Sequence, residues 1–180
     1  MTTMAEPSIP PRTAVADRFA VGVVVAHRRL KGPWGGEAWL ARAVLPAAPA
    51  VVPGTPLGAG GDEDLFYAGP AEIVLHVSAT AHYRDNLLAA QPSLWVALQP
   101  DGDAGVAVAA VTADPYEGEA LGDAFGDGVE AVPMPAEVAG LVAAFTEAFH
   151  VERPFLKRER DRADPETFGR RRGGRGGGEK

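Results

Sequence analysis

Seven residues, Lys31 to Glu37, separate two apolar runs, Phe19 to Leu30 and Ala38 to Leu45. A link that short cannot carry a parallel crossover, so the two runs, read as strands, must pair antiparallel. The first run is β-branched at its centre, which suits a strand. The second alternates imperfectly.

The same rhythm continues along the chain. Residues 46–64 are crowded with Pro and Gly and read as a long loop without regular structure. Leu65–Ala68 and Glu72–Ala79 read as two strand segments around Gly69-Pro70. Thr80–Ala90 reads as a short helix: Tyr83 and Leu87 fall at i and i+4, with Arg84, Asp85 and Asn86 facing away. Ser93–Leu98 and Gly105–Ala113 form a hairpin around the turn at Pro100 to Asp103. Asp114–Gly128 reads as an acidic loop and Val129–Met134 as a last short strand. A helix then starts at Pro135, since proline suits a first turn. Val138, Leu141, Val142, Phe145 and Phe149 give it one apolar stripe, and it should end near His150.

The predicted fold class is α+β, mainly antiparallel β. It is a meander sheet of about six strands closed by one C-terminal amphipathic helix, with a pleckstrin-homology-like layout as one form of it. A length of 180 residues fits a single domain. Residues 1–17 read as a flexible leader, 18–153 as the globular domain and 154–180 as a charged, largely disordered tail.

Composition excludes several chemistries. Cysteine is absent, which rules out disulfides, thiolate metal sites, iron–sulfur clusters and a cysteine nucleophile. No apolar run reaches membrane-spanning length and the first residues lack a signal-peptide core, so a cytoplasmic location is expected. The 14 Arg against 3 Lys, 19 Val against 2 Ile and single Asn follow the bias of GC-rich codons and carry little chemistry. The net charge of −7 divides unevenly: residues 1–156 are acidic, while 157–180 hold 9 basic against 5 acidic residues. An acidic domain repels phosphate backbones, leaving only the Arg-Gly tail to touch nucleic acid.

Few residues stand out as candidate sites. Gly58-Ala59-Gly60-Gly61 is followed by Asp62-Glu63-Asp64 in place of the Gly-Lys-Ser/Thr of a phosphate loop. The three serines lack a Gly-x-Ser-x-Gly setting. Asp114, Glu117 and Glu119 are weak candidates for a hard-cation or acid–base site, with His76 or His82 as further donors. Of the remaining histidines, His27 and His150, neither has a partner at ligand spacing. Trp34 and Trp39 flank a glycine turn, where an exposed Trp can anchor a partner or pin the loop. Trp95 alternates within a strand and reads as core. In Phe155 to Arg172, Lys157, Arg158, Arg160 and Arg162 alternate with Glu159 and Asp161, so no apolar face ties the segment to the domain. With Phe155 as its anchor, it reads as a docking segment.

Four phrases together carry a resemblance: Pro92–Leu98, Val111–Glu119, Val129–Pro135 and Phe155–Pro165. They resemble a bacterial domain-of-unknown-function family, number 3305, over about Arg18 to Arg172. Genes of that family often lie beside those of molybdenum-dependent formate dehydrogenase and its maturation proteins. The resemblance therefore implies a non-catalytic accessory protein without a cofactor of its own, partnered by formate dehydrogenase or its maturation factors. Some members carry the label of a molybdopterin-guanine dinucleotide biosynthesis protein. That label would imply a guanylyltransferase, whose Leu-Ala-Gly-Gly loop and Arg-Met-Gly turn have no counterpart in this sequence. The alternative reading is a small metal-binding protein or metal-dependent enzyme built on the loop Asp114–Glu119.

Overall fold

The structure, a computed structural model, describes residues 16–29, 36–60, 63–102 and 105–151. The described residues up to His150 form one compact unit. Its seven strands are β1 (Ala16–Arg29), β2 (Glu37–Leu45), β3 (Thr55–Gly60), β4 (Glu63–His76), β5 (Ser93–Asp101), β6 (Gly105–Thr112) and β7 (Val129–Pro133). Three α-helices accompany them: α1 (Thr80–Leu88), α2 (Pro115–Phe125) and α3 (Ala136–Phe149). The class is α+β with antiparallel sheets, as the sequence implies.

The strands do not form one meander. They build a four-stranded sheet in the order β2-β1-β4-β3 and a three-stranded sheet in the order β6-β5-β7. The expected β1–β2 and β5–β6 hairpins are both present and antiparallel. β1, however, takes β4 as its second neighbour, pairing Ala16 with His76 through to Arg28 with Glu63. The meander ends because the chain leaves β4 through a 3-10 turn, Val77–Ala79, into α1 and re-enters in the other layer as β5. Beside the short helix expected at Thr80–Ala90 and the C-terminal one, a third α-helix, α2, is present among the described residues.

Alternation sets the inward faces. Val21, Val23 and Val25 of β1 join Ile73 and Leu75 of β4 in the core. From the second sheet Leu94, Val96, Val111 and Val132 face them. α3 closes one end of this core with Val138, Val142 and Phe145, and packs beside α1, where the Tyr83 and Phe145 rings meet edge-on at 6.4 Å. Leu141 of the predicted stripe instead stays 49% exposed, and Thr146 takes a buried position. The Thr146 hydroxyl donates to the Val142 carbonyl, which removes the cost of burying it.

Two segments that read as loops are regular. Thr55–Gly60 is an edge strand on β4, a position that tolerates Pro56 because its outer side needs no partner. Pro115–Phe125 is a helix with Asp114 as its N-cap and Pro115 in its first turn. Glu63–His76 is one continuous strand, bent where the register shifts between Val23 and Val24 of its partner. Asn86 does not face solvent. Its amide nitrogen donates to the carbonyls of Ser93 and Ala113 at 2.8 Å each, and its oxygen accepts the Ser93 N–H at 3.0 Å.

Candidate functional site

Two places bring chemistry-bearing side chains together. The first is the junction of α1, β6 and α2. Asp114 follows the end of β6, nearly buried, and its Oδ1 accepts the Tyr116 N–H at 2.9 Å, closing the first turn of α2. Its Oδ2 lies 2.9 Å from Nδ1 of His82 on α1. A carboxylate only accepts, so Nδ1 carries the proton and Nε2 of the neutral ring keeps its lone pair. The Tyr116 ring leans on the imidazole, with centroids 4.3 Å apart. Beside them the Thr112 hydroxyl donates to Glu117 at 2.6 Å and accepts the Asp114 N–H at 3.1 Å. The arrangement orients one imidazole, as a proton-transfer site requires. Of the carboxylates singled out by sequence, Asp114 and Glu117 are thus engaged with the fold, and Glu119 is exposed. His76 is not part of this group: its N–H donates to the Tyr83 hydroxyl at 3.0 Å. Burial pushes the Tyr83 phenol up, and that hydrogen bond pulls it partly back. Among the described residues, no group of three His, Cys, Asp or Glu side chains is placed to hold a metal ion.

The second place is a cleft of about 760 Å³ where the two sheets part. His27 carries the inward parity of Val21, Val23 and Val25 one step past the core. Its cross-strand partner on β2 is Trp39, and the two rings lie 4.5 Å apart. Phe66 of β4 stands on the other side of the indole at 5.5 Å. The indole lies flat against β6 because Gly105 has no side chain there; a Cβ at Gly105 would sit 2.7 Å from the Trp39 ring. Glu37 and Asp101 complete the polar part of the lining.

His27 Nε2 in this wall has no hydrogen-bond partner. The Tyr67 hydroxyl has none either, but it belongs to the opposite face of the sheet: Tyr67 pairs with Val24, and its ring lies over Gly22. The Glu37 carboxylate comes within 3.3 Å of Nε2, an ion-pair distance, but off the line that a hydrogen bond needs. Tyr67 is only 1% exposed, and burial pushes its phenol up.

Of the partner-binding residues expected from sequence, Trp39 lies in the cleft. Trp34 and the set Phe155, Lys157, Arg158, Arg160 and Arg162 fall outside the described residues. Trp95 is half-buried and covers Gly118 of α2. Sequence reasoning missed Phe66 and Asp101. Only His27 left a trace, as a polar residue continuing an inward apolar face.

Fold and cleft together define an α+β protein with a ligand-sized, aromatic-walled cavity between two antiparallel sheets. Residues 20–159 match a family described as a protein of unknown function, DUF3305, and the chain belongs to that family. No curated protein and no solved structure matches it. No helix among the described residues is long and apolar enough to cross a membrane.

Proposed function

We propose that this chain is a cytoplasmic, non-catalytic accessory protein that acts by binding, in the maturation or working of molybdenum-dependent formate dehydrogenase. The observation that carries the binding part is the cleft: concave, aromatic-walled and of ligand size. The acidic segment supports the same reading, since Asp114 and Glu117 serve to cap and hold α2. The partner is the one the family resemblance implies. A pleckstrin-homology-like architecture is supported by two stacked antiparallel sheets followed by a C-terminal helix, although the order β2-β1-β4-β3 departs from a meander. Deleting the gene in its host, with molybdenum supplied, should lower formate oxidation or cofactor loading of the dehydrogenase. Unchanged activity and loading would overturn the assignment.

A second reading, a metal-dependent site at Asp114, is favoured by the 2.9 Å approach of His82. Ligand that binds only the folded state raises the melting temperature by mass action. Thermal melts with millimolar magnesium, manganese and zinc test this reading, and a shift lost in Asp114→Asn would support it.

A further inference from the structure

We infer that the outer face of α2 is a docking surface for a basic, Arg- or Lys-bearing segment of a partner protein, with Tyr116 as its aromatic anchor. The inference rests on the accessory reading above and names the chemistry of the partner's surface. One side of α2 is already covered, where Gly118 closes on Trp95. With about 3.6 residues per turn, Tyr116, Glu119 and Asp123 fall on the opposite side. All three are exposed, Tyr116 at 61%, and Asp127 follows, also exposed, just beyond the helix. None of these three carboxylates is in an ion pair among the described residues. The neighbouring sequence supplies no cation either: residues 85–152 hold twelve Asp and Glu and no Lys or Arg. The second sheet, α2 and α3 all lie within that stretch and so carry charge of one sign, which draws in cations and turns away phosphate backbones.

Acids on a surface alone would say little, but the placement of these costs the free protein. Glu119 and Asp123 stand at i and i+4, where like charges repel. Asp123 lies in the last turn, which holds no basic residue, and the negative end of the helix dipole disfavours a carboxylate there. A cation brought by a partner relieves both penalties at once, and local rules broken without compensation inside the fold are characteristic of functional surfaces. The anchor is a separate observation. The Tyr116 ring rests on the His82 imidazole with centroids 4.3 Å apart, and Asp114 holds that imidazole at 2.9 Å. An exposed aromatic side chain fixed before binding loses little freedom on binding, and its open face accepts a guanidinium or ammonium group.

The test titrates the full-length protein into a fluorescein-labelled peptide of alternating arginine and serine, about twelve residues long, at ~0.15 M salt, where exposed charges more than about 8 Å apart are screened. Fluorescence anisotropy reads the affinity. Glu119→Lys combined with Asp123→Lys should weaken binding by about tenfold or more. Glu137→Lys combined with Glu147→Lys makes the same change in net charge at exposed positions of α3, and should weaken it by less than about threefold. Tyr116→Ala should weaken binding severalfold, while Tyr116→Phe, which keeps the ring, should stay within about twofold of the parent. All of these side chains are exposed, so the variants retain the fold. Absence of binding, equal losses from the two charge-reversed pairs, or a Tyr116→Ala protein that binds as the parent does would each overturn the proposal. The peptide stands apart from formate dehydrogenase, so failure here leaves the accessory assignment to the deletion test, and the reverse holds as well.

Discussion

Asp114 divides its two oxygens between His82 and the Tyr116 amide, so a single carboxylate fixes α1 to α2. Asp114→Ala removes a helix cap and the partner of an imidazole, and should cost about 1–2 kcal/mol. Asp114→Asn retains a good capping side chain and should cost less. Urea unfolding of both variants checks the order; equal losses would mean that the cap contributes little.

The glycines of α2 should respond in opposite directions. A Cβ at Gly118 would fall 2.3 Å from the Trp95 ring, whereas one at Gly122 meets nothing within 4 Å. Alanine gains about 1 kcal/mol of helix propensity at either place. Overpacking typically costs about 1–3 kcal/mol, and an overlap this deep with a half-buried indole lies at the upper end. Gly118→Ala should therefore lower stability by about 2 kcal/mol, and Gly122→Ala should raise it by about 0.5–1 kcal/mol. Thermal or urea midpoints decide the signs.

Asn86 should be intolerant of replacement. Asn86→Ala leaves the Ser93 N–H and the carbonyls of Ser93 and Ala113 without their partners. Each stranded buried group costs about 1–3 kcal/mol, so a loss of about 3 kcal/mol or more is expected in urea unfolding.

Glu63 makes stability depend on pH. It accepts hydrogen bonds from Arg42, whose Nε lies 2.8 Å away, and from Arg28, and these hold its carboxyl below the ordinary 4.5. The folded value is lowered, so the stabilisation is complete above about pH 4.5 and is lost as pH falls through the folded value. Glu63→Gln should be less stable than the parent at pH 7, and the gap should close in acid. Urea midpoints measured from pH 7 down to the acid transition check this; a gap that persists unchanged in acid would show that the pairing is not electrostatic.

The apolar stripe of α3 should separate by burial, not by spacing. Phe145→Ala removes a ring packed on Tyr83 and Phe149 and should cost about 3–5 kcal/mol. Leu141→Ala, at a position half open to solvent, should stay within about 0.5 kcal/mol of the parent. Paired urea curves are the measurement.

Much of the fold is legible in local pattern. The short link after β1 implies a hairpin, and the spacing from Val138 to Phe149 implies α3; both are present. The same proline signal that marks α3 also stands at Pro115, behind a capping aspartate, yet the glycines and acids of Asp114–Gly128 read as a loop. Helix α2 forms there because Gly118 lets it close on Trp95, a tertiary contact that periodicity does not carry. The pairing of β1 with β4 is likewise invisible locally, since it joins distant segments. For the site, Trp39 and His82 were among the candidates named from sequence, but their settings were not. Which histidine meets Asp114, and that His27 ends up beside Trp39 in the cleft, depends on register and on how the sheets part.

The strand order has a consequence for synthesis. β1 lies inside its sheet, yet only β2 follows it closely; the other flank waits for β4, whose last residue pairs with the first residue of β1. While a ribosome is still making residues 46–76, the nascent hairpin presents an open strand edge centred on Val23, Val24 and Val25. Such an edge invites pairing with another chain. Slowing translation across this stretch would prolong that exposure, so rare codons placed there should cost soluble yield more than the same codons placed after β4.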